Sequence, residues 1–319
     1  MKKLMTLPLL LALLTACHTT ADSSEGRQQE QVTVVAKAGH PVFSADSCFA
    51  RLTDQTSLGS RCPNSPAHAA CKAYLTAQLK LYGAVVSEQS CQLKAWDGTL
   101  LDCTNITASY LPAAKNRVLL CAHWDSRPWS DEDPDPERVR APLLGANDGA
   151  SGVAVLLEIA RNLGLQSPKV GVDIVLFDAE DYGISEEENS FCLGSQYWAQ
   201  QAKLTGYKAA YGILLDMVGD KNAVFRKDAV SAYFAPAVAQ KVWERAAEMG
   251  YGALFAEGGG GSIIDDHYYI NRLAGIPCID IIHYDGGFPA TWHTTHDTPD
   301  AISRDVLGAV GSVVLDLLY

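Results

Sequence analysis

The sequence predicts an α/β domain: a three-layer sandwich whose central sheet is mixed, mostly parallel, and covered by helices on both faces. Two observations carry this. Short, mostly apolar runs recur at 117–123, 172–177, 211–215 and 277–282, and parallel strands buried on both faces read as such runs rather than as alternating ones. Amphipathic stretches stand between them, and strands that alternate with helices build parallel sheets. Composition agrees: of 319 residues, 48% are hydrophobic and 19% charged, which supports a large core and excludes disorder of the whole chain.

Taken in order, residues 1–16 read as a secretory signal. Lys2 and Lys3 precede an apolar run at 7–14, too short for a bilayer, which takes about 20 residues. Leu14-Thr15-Ala16-Cys17 has the form of a bacterial lipobox, so Cys17 is expected to carry lipid and to begin the mature protein. Residues 17–35 are polar and are expected to be a flexible tether. The expected location is the envelope of a Gram-negative-type bacterium, facing the periplasm, with membrane contact only through the lipid. His18 stands where Asp would favour the inner membrane, which points to the outer one.

Residues 36–319 are expected to form one catalytic domain. Helix patterns cover 45–57 and 65–82; in the second, Ala70, Tyr74, Leu75, Leu79 and Leu81 recur at helical spacing before Gly83. Residues 84–91 and 101–110 predict two strands around an Asp97-Gly98 turn. The run at 117–123 leads to a helix carrying Val155, Leu156, Ile159, Ala160 and Leu163 and closed by Gly164. Helices over 193–203 and 236–249 follow the second and third runs, and one from about 265 precedes the fourth. A last helix covers 301–318. Long acidic loops at 127–142 and 184–192 are expected to shape a cleft. Gly258–Gly261 lacks the Lys and Ser/Thr of a P-loop and predicts a mobile turn.

Lys and Arg total 25 against 37 Asp and Glu, a net charge of −12. No nucleic-acid partner is expected, because phosphate binding needs a basic face. Eight cysteines remain beyond Cys17, five of them before residue 104. An oxidising envelope permits disulfides, so bridges are expected in that third, with the pairing open.

Ligands of open parallel sheets bind beyond the carboxyl ends of the strands. Here all four core runs deliver acids or histidines to that edge: His123 and Asp125; Asp178, Glu180 and Asp181; Asp216; and His283, leading on to Trp292 and His293. Asp148 precedes a helix and could cap it or hold a metal. Asp148, Asp181 and His293 together offer two carboxylates and an imidazole, a set that suits catalytic Zn²⁺ with an open fourth position. No HExxH helix motif is present, so the fold must assemble the site. Gly149-Ala-Ser-Gly152 is not a GxSxG nucleophile elbow.

Six segments then carry a resemblance: Ala122-His-Trp-Asp-Ser-Arg, Gly145-Ala-Asn-Asp-Gly-Ala-Ser-Gly, Asp178-Ala-Glu-Asp, Leu215-Asp-Met-Val-Gly, Asp265-Asp-His and Phe288-Pro-Ala-Thr-Trp-His-Thr. From about Phe43 to Tyr319 the chain resembles the bacterial glutaminyl cyclases, which share their fold with the zinc aminopeptidases. The resemblance implies one zinc per chain on Asp148, Asp181 and His293. It implies Glu180 as general acid/base, with Asp216 and Asp265 as supporting catalytic groups, and Trp292, Phe288 and Ile263 on the substrate pocket. The expected reaction cyclises an N-terminal glutamine of a peptide or protein to pyroglutamate and releases ammonia, in a monomer. The alternative is a two-zinc aminopeptidase, whose second metal would take His123 and Asp216 with Asp148 bridging. Asp265, where aminopeptidases have Ser, is expected to hold Asp216 through a shared proton and so favours the cyclase. Animal cyclases place a second pocket Trp after the paired acids; residues 182–191 have none, leaving Tyr182 or Phe191 to stand in.

Overall fold

The protein is described by a computed structural model over residues 39–319. The signal at 1–16, Cys17, the tether at 17–35 and residues 36–38 lie outside the described residues. Among the described residues no helix is long and apolar enough to cross a membrane.

Two helices open the chain, α1 (Ala45–Thr56) and α2 (Pro66–Leu81), followed by β1 (Val85–Lys94) and β2 (Leu100–Tyr110). Then come β3 (Arg117–His123), α3 (Ala150–Leu165), β4 (Gly171–Phe177), α4 (Leu193–Thr205) and β5 (Tyr211–Asp216). A small unit follows: β6 (Phe225–Lys227), α5 (Ala229–Phe234), α6 (Pro236–Glu248) and β7 (Phe255–Gly259). The chain closes with α7 (Asp266–Tyr269), a π-helical turn (Ile270–Ala274), β8 (Cys278–Ile282), a 3₁₀ turn (Pro299–Ala301) and α8 (Arg304–Asp316). Helix starts follow capping chemistry: the hydroxyls of Ser44, Ser65 and Ser303 each accept an N–H of the first turn.

The six-stranded sheet has the order β1-β2-β4-β3-β5-β8. β4, β3, β5 and β8 run parallel, and β1 and β2 add an antiparallel edge. Alternation along β3 sorts its side chains. Val118, Leu120 and Ala122 pack with α1, α3, α6 and α8, while Leu119 and Cys121 pack with Trp198 and Ala199 of α4 on the other face. The three-layer expectation therefore holds. Helix α3 lies directly on β5, since a Cβ at Gly152 would stand 2.1 Å from the Leu215 carbonyl oxygen.

Four expectations change. Phe255–Gly259 is a strand parallel to β6, so the glycine run is half strand rather than a mobile turn. The helix from 265 is one α turn followed by a π turn. The last helix starts at Arg304, because Ser303 caps it after a separate 3₁₀ turn. All eight described cysteines are free, where bridges were expected in the first third. Cys48 and Cys71 instead sit in the main core and Cys103 in a separate cluster, packing as small apolar side chains.

Candidate active site

The parallel strands aim their carboxyl ends at one cavity of about 200 Å³. Its lining includes Asp148, Glu180, Asp181, Asp216, Ile263, Asp265, Phe288, Trp292 and His293. Every residue assigned from the sequence to the first metal, the acid/base group and the pocket thus reaches one space. His123 stands behind it, its Nε2 3.0 Å from Asp148 Oδ1 and 3.2 Å from Asp216 Oδ1. The second aromatic wall is Phe191, which lines the cavity. Tyr182 turns away, its hydroxyl 3.3 Å from Asp97 and its ring edge-on to Trp129.

Local backbone presents these groups. Asp148 does not cap α3; the cap is Gly149, with no side-chain bond, and the Asp148 carboxylate points to the histidines. Gly149 is needed there, because a Cβ would meet His123 Nε2 at 2.5 Å. Ala179, Cys192, Met217 and His293 hold positive φ, between 48 and 59°. Non-glycine residues pay for that conformation, and such strain gathers at functional sites.

The donor set fits a zinc ion. Ligands at about 2.0–2.2 Å in a tetrahedron lie about 3.3–3.6 Å apart. His293 Nε2 lies 3.3 Å from Asp181 Oδ1 and 3.8 Å from Asp148 Oδ2. Asp181 Oδ2 is buried with no hydrogen-bond partner, an atom left for a cation. Burial works against a charged His293, yet Asp181, Asp131 and Asp148 outweigh it and push the ring up to about 9. His123 is likewise driven up, by Asp125, Asp148 and Asp216 against burial. The site is a pool of negative charge. Burial, aided by Asp181, Asp265 and Asp266, lifts Glu180 well above the carboxylate range, and burial lifts Asp216 to about 7.

Asp216 is taken by His123, while Asp265 caps α7 through the Asp266 N–H.

Residues not singled out from the sequence, joined by Asp125 from the first strand end, hold the ligands. Arg127, 1% exposed, grips Asp131 through Nε and Nη2 at 2.7 and 2.6 Å. Its Nη1 donates to the Asp181 carbonyl at 3.0 Å and to Asp181 Oδ1 at 3.1 Å. Asp131 in turn stands 3.4 Å from His293 Nδ1, fixing the ring that faces the site. Asp125 accepts the N–H groups of Glu180 and Asp181, and Asp297 those of Asn147 and Asp148. The Cys192 thiol donates to Glu180 Oε1 at 3.2 Å. Arg127 lies in one of the motif segments, but nothing in its spacing marks it.

Comparison with known proteins follows this geometry. Peptidase family M28 matches residues 105–318. A glutaminyl cyclase from Bacteroides thetaiotaomicron, solved bound to N-acetylhistamine, is 49% identical with a TM-score of 0.86, over 88% of this chain and 99% of that one. A leucine aminopeptidase precursor from the same species is also 49% identical with a TM-score of 0.86, over 88% of this chain and 98% of that one. Among curated proteins, the glutaminyl-peptide cyclotransferase of Gloydius blomhoffii is 22% identical, over 91% of this chain and 88% of its own. The chain belongs to peptidase family M28, on the bacterial glutaminyl-cyclase scaffold of that family.

Proposed function

We propose that this protein is a zinc-dependent glutaminyl-peptide cyclotransferase: it converts an N-terminal glutamine to pyroglutamate and releases ammonia. The observation that carries this is the cavity itself. At about 200 Å³ it is smaller than the roughly 300–1,000 Å³ of most ligand pockets. Phe191, Phe288 and Trp292 line it, with the Trp292 ring stacked on Phe288 at 4.3 Å and on His293 at 3.7 Å. One folded glutamine side chain fits such a space.

Asp148, Asp181 and His293 would hold one zinc, which supplies Lewis acidity toward the side-chain amide carbonyl when bound. Asp265 and Asp216 accept hydrogen bonds from the substrate α-amine and orient it. Glu180 removes a proton from that amine as its nitrogen bonds to the side-chain carbonyl carbon. The same carboxyl then delivers the proton to the amide nitrogen as its bond to that carbon breaks, and ammonia leaves. Burial raises Glu180 above the ordinary carboxylate range, the direction a proton carrier needs. The aromatic walls keep water from competing with the amine. Because attack is intramolecular, the pocket need only select a near-attack conformer.

Residues 1–17 support a lipid-anchored, periplasm-facing protein, and Cys17→Ser moving the protein to the soluble fraction would test that. The function is tested by incubating the zinc-loaded protein with a glutaminyl dipeptide. Ammonia and a product lighter by one ammonia support it; an intact dipeptide or free glutamine contradicts it.

A further inference from the structure

Two thiols on the edge hairpin stand apart from every group the cyclase chemistry uses. Cys91 on β1 and Cys103 on β2 are Cα partners in the antiparallel register. Residues paired in this way stand about 4.5–5.5 Å apart at Cα, inside the roughly 4.4–6.8 Å that a disulfide spans. Their side chains also share a face. Cys91, Leu93 and Ala95 alternate along one strand, Leu101 and Cys103 along the other, and all of them belong to one apolar cluster with Ala179, Tyr182 and Leu193. Both thiols are free. Cys103 is buried and donates to the Asp178 carbonyl at 3.8 Å, whereas Cys91 is only half-buried and open to a dissolved reagent.

We propose that Cys91 and Cys103 are a redox modification site: the disulfide of a small thiol oxidises them to one reversible disulfide within the chain, which staples the edge strand β1 to β2.

The exchange runs in two steps. Cys91 Sγ, as thiolate, attacks one sulfur of the added disulfide. That S–S bond breaks, one small thiol leaves after taking a proton, and Cys91 carries a mixed disulfide. Cys103 then loses its proton, its Sγ attacks Cys91 Sγ, and the second small thiol is expelled. Two cysteine thiols are oxidised and the added disulfide is reduced to two thiols. Exposure sets the order: Cys91 is the entry, and Cys103 behind it resolves the intermediate. A hydrogen bond between the two thiols also holds Cys91 below the ordinary thiol range, which favours its thiolate.

The other described cysteines lack this combination. Cys121 and Cys278 lie on β3 and β8 with β5 between them. Their backbones therefore stand about 9–10 Å apart, beyond the roughly 7 Å limit for a bridge, and both are fully buried. Cys48, Cys71 and Cys192 are fully buried as well. Cys62 is half-buried but turns its thiol to the Arg127 carbonyl at 3.4 Å.

The test treats the folded, zinc-loaded protein with glutathione disulfide, unfolds it in an alkylating reagent to block the remaining thiols, and maps the peptides by mass. Peptides joined through Cys91 and Cys103 within one chain are expected, and excess reduced glutathione should return both thiols without unfolding. Cys103→Ala, which cannot resolve the intermediate, is expected to stop with glutathione on Cys91. Cys91→Ser is expected to leave Cys103 unmodified. Alkylation of both cysteines in the treated wild type, glutathione retained on its Cys91, a Cys91 link between two chains, or a glutathione adduct on Cys103 in Cys91→Ser overturns the proposal. Ammonia release plays no part in these readouts, so they decide the thiol pair whatever substrate the cavity takes.

Discussion

Replacing Arg127 by Met tests how the zinc ligands are held. Met fills most of the volume and removes every donor. Five hydrogen bonds go: two to Asp131, two to Asp181 and one to the Gly183 carbonyl. The two acids differ in worth. The Asp131 side chain is 42% exposed, so its half of the pairing is screened and contributes about 1 kcal/mol or less. Asp181 is 2% exposed, and breaking one partner of a buried pair costs about 3–5 kcal/mol. The expected loss of unfolding free energy without metal is therefore about 3–5 kcal/mol. Loss of groups that orient ligands typically weakens metal binding about 10–100-fold, or about 1.4–2.7 kcal/mol. Urea unfolding and zinc competition against a chelator of known affinity measure the two effects. A stability loss under about 1 kcal/mol with zinc affinity within about threefold of wild type would refute the role given to Arg127.

Three further outcomes follow from the geometry. Glu180→Gln, which cannot pass a proton, should lower kcat by about 10²–10⁴-fold with zinc content unchanged; near-normal turnover removes Glu180 from the mechanism. Phe191→Ala should raise KM for a glutaminyl dipeptide about tenfold, from roughly 1–2 kcal/mol of lost aromatic contact, while Tyr182→Ala leaves KM unchanged; the reverse pattern would put Tyr182 on the pocket wall. Gly152→Ala forces a Cβ to within 2.1 Å of the Leu215 oxygen and should cost about 1–3 kcal/mol, read as a lower Tm; an unchanged Tm means α3 and β5 are not in that contact.

Much of this molecule is legible in its sequence because burial leaves periodic marks. The runs at β3, β4, β5 and β8 and the helical spacing of α3 follow from sheets and helices burying apolar side chains. The site is legible for a related reason: strand ends in a parallel sheet share one edge, so His123, Glu180, Asp181 and Asp216 had to converge. What stayed hidden has no period. Strand β6 has three residues, two of them Arg226 and Lys227, and β7 ends in glycines; neither carries a strand pattern. Arg127 and Asp297 are single loop residues that reach Asp181 and Asn147, 54 and 150 positions away, and Asp125, placed at the sheet edge by the sequence, gives no sign of its partner Glu180, 55 positions away. His293 shows the same limit: its acid is Asp131, from a distant loop, and the nearby Asp297 holds backbone N–H groups instead. Cys91 and Cys103 face each other across β1 and β2, a pairing set by register and not by spacing.

Diffraction from crystals of the zinc-loaded protein, recorded on both sides of the zinc absorption edge, tests the central claim most directly. A single anomalous peak per chain, bounded by Asp148, Asp181 and His293, is the predicted result. A second peak of equal height between His123 and Asp216 would make the site a two-metal centre and contradict the cyclase account.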